Sequence, residues 1–140
     1  MLSRIVIVAE EKSRNIAIGQ NMHRIDAHGK VTGATPYPGD FEMDGQLWMK
    51  IRFSDRAHAR VLRIDTSKAT ALPGVHGVFT AADVPVNEYG LVNKDQPVLC
   101  GPGSPMPGAD VVRCYMDMVA LVVAESEAIA AQAARLIEVE

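Results

Sequence analysis

Cysteine is scarce in this chain: two in 140 residues, Cys100 and Cys114, 14 positions apart. Two thiols make no disulfide framework, and a reduced, cytosolic chain is the simplest account. Long apolar runs are missing as well. Ile5–Ala9 gives way to Glu10-Glu11-Lys12, and the longest later run is Met118–Ala124. Neither is long enough for a signal-peptide core or a membrane span, so no export signal and no membrane partner are expected. An excess of positive charge is lacking too, with 14 Lys+Arg against 17 Asp+Glu, net −3. Neutralising phosphates needs clustered basic excess, so nucleic acid is not an expected partner. There is no internal repeat and no heptad pattern.

What is present is an ordinary globular composition. Hydrophobic residues make up 48% and charged residues 22%, well outside the disordered range. A chain this long forms about one domain and buries roughly two thirds of its unfolded surface. The charge is unevenly distributed. Residues 1–68 carry 11 basic and 8 acidic side chains, and residues 69–140 carry 3 and 9. Two solvated faces of different sign explain this, and so does one face built to dock on a partner of opposite charge.

Local patterns predict an α+β (mixed α/β) single domain with a mixed β-sheet and two short-to-medium helices. Ile5–Ala9 reads as a strand or an extended arm. Three glycines between Ile16 and Thr35 argue against a long helix there. Pro36–Asp40 is a rigid turn. Leu47–Phe53 alternates as a strand, with Leu47, Met49, Ile51 and Phe53 on one face. Arg60–Asp65 reads as a further strand with Leu62 and Ile64 on one side. Thr66–Leu72 follows as a short helix capped by Thr66 or Ser67 and stopped by Pro73-Gly74. Val75–Thr80 is a strand and Ala81–Asp83 a turn. Val86–Ala109 is a long loop, and loops of that length are functional, interfacial or mobile. Val111–Tyr115 and Met118–Ala124 read as strands, the second buried on both faces. Ser126 caps a helix from Glu127 to about Arg135, and a strand follows over Leu136–Glu140.

None of the chemistry-bearing residues forms a persuasive site by spacing. His23 and His28 are five apart with no Cys-x-x-Cys nearby, which is not zinc spacing. His58 could act as a base only with a nucleophile in reach, and a turn histidine bonding backbone is the simpler account. In Gly101-Pro102-Gly103 the proline removes a donor that a phosphate cradle would need, and a strand follows instead of a helix. Asp40, Glu42 and Asp44 fail the calcium-loop pattern, because Ile51 stands where the twelfth-position glutamate belongs. They read as an acidic edge. No catalytic, cofactor-binding or metal-binding residue is therefore assigned.

Several segments together resemble the large, molybdenum-binding subunits of the xanthine dehydrogenase/aldehyde oxidase family. Gly19-Gln20-Asn21-Met22-His23-Arg24-Ile25-Asp26 is similar to the family's Gly-x-x-x-x-Arg-x-Asp, and Lys30-Val31-Thr32-Gly33 to its Lys-Val-Thr-Gly, with Tyr37 and Asp40 after it. Ala57-His58-Ala59-Arg60-Val61 is similar to Ala-His-Ala-Arg-Ile. Leu72-Pro73-Gly74-Val75, Val78-Phe79-Thr80, Asp83-Val84-Pro85 and Asp95-Gln96-Pro97-Val98-Leu99 keep the family's order. Val119–Ala124 with Ala130, Ala133, Ala134 and Ile137–Glu140 resembles its closing strand–helix–strand.

The resemblance implies the α/β hammerhead domain that begins such subunits, over 18–140, with 1–17 as an N-terminal strand or arm. It implies a structural domain, its partners being the molybdopterin-binding domains or chain and, beyond them, iron–sulfur and flavin subunits. Molybdopterin, iron–sulfur clusters and FAD would belong to the parent complex, and the chain alone would lack the active site. A fragment or a split subunit is the expectation, and a free-standing binding module using 86–109 is the alternative. One departure stands out. Where the family has Gly-Gln/Glu-Pro entering the buried strand, this chain has Met116-Asp117-Met118. Glycine and proline fix a tight turn there, and the methionines remove that constraint.

Overall fold

Residues 18, 19 and 21–140 are described by a computed structural model of the chain. The Ile5–Ala9 segment lies outside them. The chain divides into two compact units, Met1–Glu42 and Met43–Glu140. In the first, helix α1 (Ala27–Val31) is a single short helix, as the glycine spacing requires. Asp26 draws Arg24 and Lys30 together, with Lys30 Nζ at 2.6 Å and Arg24 at 3.0 Å. A 3-10 turn spans Pro38–Asp40. Asp40 Oδ2 closes it by accepting the Tyr37 N–H at 2.7 Å.

The second unit carries, in chain order, β1 (Trp48–Phe53), β2 (Ala59–Arg60), β3 (Ile64–Asp65), α2 (Ser67–Thr70) and β4 (Val75–Thr80). A 3-10 turn at Ala81–Asp83 follows, then β5 (Val111–Val112), β6 (Met118–Ala124), α3 (Glu127–Leu136) and β7 (Glu138–Val139). The class is α+β. Every described ladder is antiparallel, so the expected mixed sheet is replaced by separate antiparallel ones, β1-β6-β4, β2-β5 and β3-β7.

β6 is the central strand because its period-2 pattern serves two layers. Ala120, Val122 and Ala124 point toward α3 and are fully buried. Ala120 and Val122 meet Ala133, Ala134, Ile137 and Ala69, with Val78 packed alongside. The alanines of α3 let its axis sit close to the sheet, and each larger buried side chain adds about 2 kcal/mol. Ser126 Oγ accepts the Ile129 N–H at 3.3 Å, and Glu127 and Arg135 suit the two ends of the helix dipole. Val119 faces the other way, into a second cluster with Val61, Cys100 and Val112.

Three further expectations need correction. Arg60–Asp65 is not one strand. The Val61 N–H bonds Asp110 C=O and the Leu62 N–H bonds Glu140 C=O, both at 2.7 Å. The segment thus changes partner from β5 to β7, and Leu62 is 62% exposed while Ile64 packs inward. The cap of α2 is neither Thr66 nor Ser67: Asp65 Oδ1 accepts both the Ser67 N–H and its hydroxyl. β5 stops at Val112 because Asp117 closes a turn over Arg113–Asp117.

Candidate functional site

The register of the central sheet defines two faces. Lys50, Arg52 and Trp48 pair opposite Val122, Ala120 and Ala124 and share their side. Lys50 Nζ reaches Glu127 Oε1 of α3 at 2.6 Å. Met49, Ile51, Phe79 and Gly77 pair opposite Val123 and Leu121, on the side away from α3. That second face is apolar and incompletely covered. Met49 is 59% and Phe79 43% exposed, and Ile51, Leu121 and Val123 are half-buried. The expectation that β6 is buried on both faces therefore holds at Val119 and fails at Leu121 and Val123. Phe79 lies over Gly77, where an added Cβ would press on its ring at 3.0 Å.

The 86–109 segment is held by a few specific bonds. Asn87, the one buried polar residue among those described, bonds both backbone groups of Leu99. Its Nδ2 also donates to Ser104 Oγ at 2.9 Å. Tyr89 and Gln96 exchange backbone hydrogen bonds. Gly101 and Gly103 serve packing, not phosphate. A Cβ on Gly101 would lie 2.8 Å from Ile64 Cδ1, and one on Gly103, at φ +88°, 2.8 Å from Ala82 Cβ.

A cavity of about 500 Å³ lies between this segment and the Arg113–Asp117 turn, lined by Tyr89, Gln96, Cys100, Cys114 and Asp117 among others. Met116 adopts φ +76° there, a left-handed geometry that favours glycine. Asp117 supplies the closure that glycine and proline would otherwise fix. Its Oδ2 accepts the N–H groups of Arg113 (2.7 Å) and Cys114 (3.1 Å), and its Oδ1 accepts the Cys114 thiol at 2.8 Å. Burial pushes the Asp117 carboxyl upward, but the Cys114 thiol and the two amides outweigh it and hold the group below its ordinary 3.8. The Cys114 thiol is raised by that carboxylate, and burial pushes Cys100 up to about 11.

The histidines are scattered. His23, His28 and His58 are exposed, and His76 Nε2 lies 3.3 Å from Glu125 Oε1. Asp40, Glu42 and Asp44 are exposed as well. Among the described residues, no three His, Cys, Asp or Glu side chains are grouped to hold a metal. Two cysteines are too few for the thiolate set of an iron–sulfur cluster, and no step through one is assigned to them. Among them, no helix is long and apolar enough to cross a membrane.

Antiparallel ladders, a helix packed on one face of the central sheet and an apolar, incompletely covered opposite face define an α+β unit. The family model for the aldehyde oxidase and xanthine dehydrogenase a/b hammerhead domain matches residues 32–140, and the chain belongs to this family. It is 42% identical to one subunit of a probable xanthine dehydrogenase of Bacillus subtilis, over 84% of this chain and 15% of that protein. It is 38% identical to the nicotine 6-hydroxylase large subunit of Paenarthrobacter nicotinovorans, over 91% of this chain and 16% of that one. In structure it is similar to a CO dehydrogenase from Oligotropha carboxidovorans, with TM-score 0.74 and 35% identity over 87% of this chain and 15% of that one. The chain therefore spans only about a sixth of these relatives.

Proposed function

We propose that this chain is the structural and assembly domain of a molybdenum hydroxylase large subunit, and that its sheet face away from α3 docks on the molybdopterin-binding part of that subunit. The observation that carries this reading is the uncovered apolar patch of Met49, Ile51, Phe79, Leu121 and Val123. Monomeric proteins rarely leave a large contiguous apolar patch in water without a use. The small share of each relative that the chain spans is consistent with most of the parent enzyme lying elsewhere. In this reading 18–140 form the hammerhead domain and 1–17 an arm. The parent enzyme, in the cytoplasm, would hydroxylate an aldehyde or N-heterocycle with oxygen from water. Electrons would leave through iron–sulfur clusters and flavin on neighbouring subunits.

The test is purification of the native protein from its source, with and without Met49→Lys and Phe79→Lys. Recovery of the wild type with a molybdopterin-binding chain or region, lost in the double variant while its circular dichroism is unchanged, supports the reading. A stoichiometric molybdenum signal in the isolated 140-residue chain would overturn it. Recovery as a lone monomer supports a free-standing binding module instead, whose contact would be the exposed Val86, Leu91 and Val92.

A further inference from the structure

We infer that the cavity beside α3, lined by Lys50, Arg52, Ser54, Tyr115 and Arg135, is an oxyanion-binding site. It is an open pocket of about 340 Å³ between β1 and the 131–135 stretch of α3. Arg52 lies on the α3 side of the sheet, opposite Ala120. Its Nε is fully buried and has no hydrogen-bond partner.

A buried guanidinium nitrogen without an acceptor is costly, and native structures rarely leave one. No described residue bonds it, although Asp55 shares its cavity and Glu140 lines a neighbouring one. Lys50 is engaged with Glu127. Arg135 forms no ion pair with any described residue and brings a second guanidinium to the same cavity. Asp55 is the one carboxylate among the lining residues, and its contact is Arg56 at 3.6 Å. Tyr115 adds a hydroxyl able to donate, whereas the Ser54 hydroxyl is already given to the Arg56 carbonyl at 3.1 Å. Two guanidiniums and one hydroxyl against the Asp55 carboxylate, with Lys50 already paired to Glu127, are the donor set of a carboxylate or phosphate pocket, because a planar guanidinium binds either group with paired N–H donors.

The oxyanion comes from one of two sources, a free small anion or an acidic side chain of another protein. This site is independent of the open sheet face and does not rest on the docking reading. The experiment titrates the isotope-labelled 140-residue chain at low ionic strength with inorganic phosphate, and separately with a short glutamate-rich peptide. Amide spectra are the readout, and sodium chloride of matched ionic strength is the control. Saturable shifts at Arg52, Tyr115 and Arg135 with phosphate identify a free anion, and the same shifts with the peptide alone identify a side chain. Either result supports the site, provided Arg52→Met abolishes the shifts and Lys94→Met, at an exposed position elsewhere, does not. Arg135→Met lies on the helix surface and leaves the fold intact, and it should weaken binding about tenfold or more. Shifts no larger than those with sodium chloride, or shifts that persist in Arg52→Met, would overturn the inference.

Discussion

Asn87 grips Leu99 through both backbone groups: its Oδ1 accepts the Leu99 N–H and its Nδ2 donates to the Leu99 carbonyl, each at 2.9 Å. The side-chain amide stands in for the missing partner strand. This gives the buried backbone of Leu99 its hydrogen bonds in a stretch that forms no regular ladder.

Asn87→Ala should therefore cost about 3 kcal/mol, since it orphans a buried donor and a buried acceptor together. Urea unfolding measures this. Limited proteolysis within 88–98 should accelerate in parallel, because the loop loses its anchor. An unchanged midpoint would show that the pair contributes nothing.

Asp117 makes the stability acid-sensitive. Its carboxyl is held below the ordinary 3.8 in the folded chain. Its contribution is thus complete above the unfolded value and is lost as pH falls through the folded one. Asp117→Asn should be less stable than wild type at pH 7, and the gap should close in strongly acidic solution. A gap that stays constant between pH 7 and pH 2 would contradict the assignment.

The two thiols should react very differently. Cys100 is buried and pushed up to about 11, whereas Cys114 is exposed and raised by the neighbouring Asp117 carboxylate. With a thiol reagent at pH 8, Cys114 should react first, and more slowly than a free cysteine. Cys100 should react only on unfolding. Asp117→Asn should speed Cys114, because the carboxylate that disfavours the thiolate is gone.

Met116 holds a left-handed backbone at φ +76°, which costs a side-chain-bearing residue about 1 kcal/mol or more. Met116→Gly should raise stability by about 1 kcal/mol, part of the gain being offset by the freer unfolded chain. A melting temperature that falls would mean that the Met116 side chain holds the cavity wall together.

Much of the local structure was legible in the sequence. β4 and β6 match their expected ranges, and α3 and β1 differ by one residue at an end, because alternation and a Ser126 cap are local signals. The tight turn was legible only in part. Asp117 replaces the geometric role of glycine and proline through three hydrogen bonds that no spacing rule displays.

The sequence by itself determined the family, the α+β class and the main elements, since these rest on patterns within a few residues and on motifs kept in order. Only the tertiary structure decided which face of β6 is left open, why Arg60–Asp65 divides between two ladders, and that Asn87 and Arg52 are the polar groups of consequence. Each of these depends on neighbours tens of residues away in the chain, and burial and hydrogen-bond partners are assigned by packing and not by periodicity.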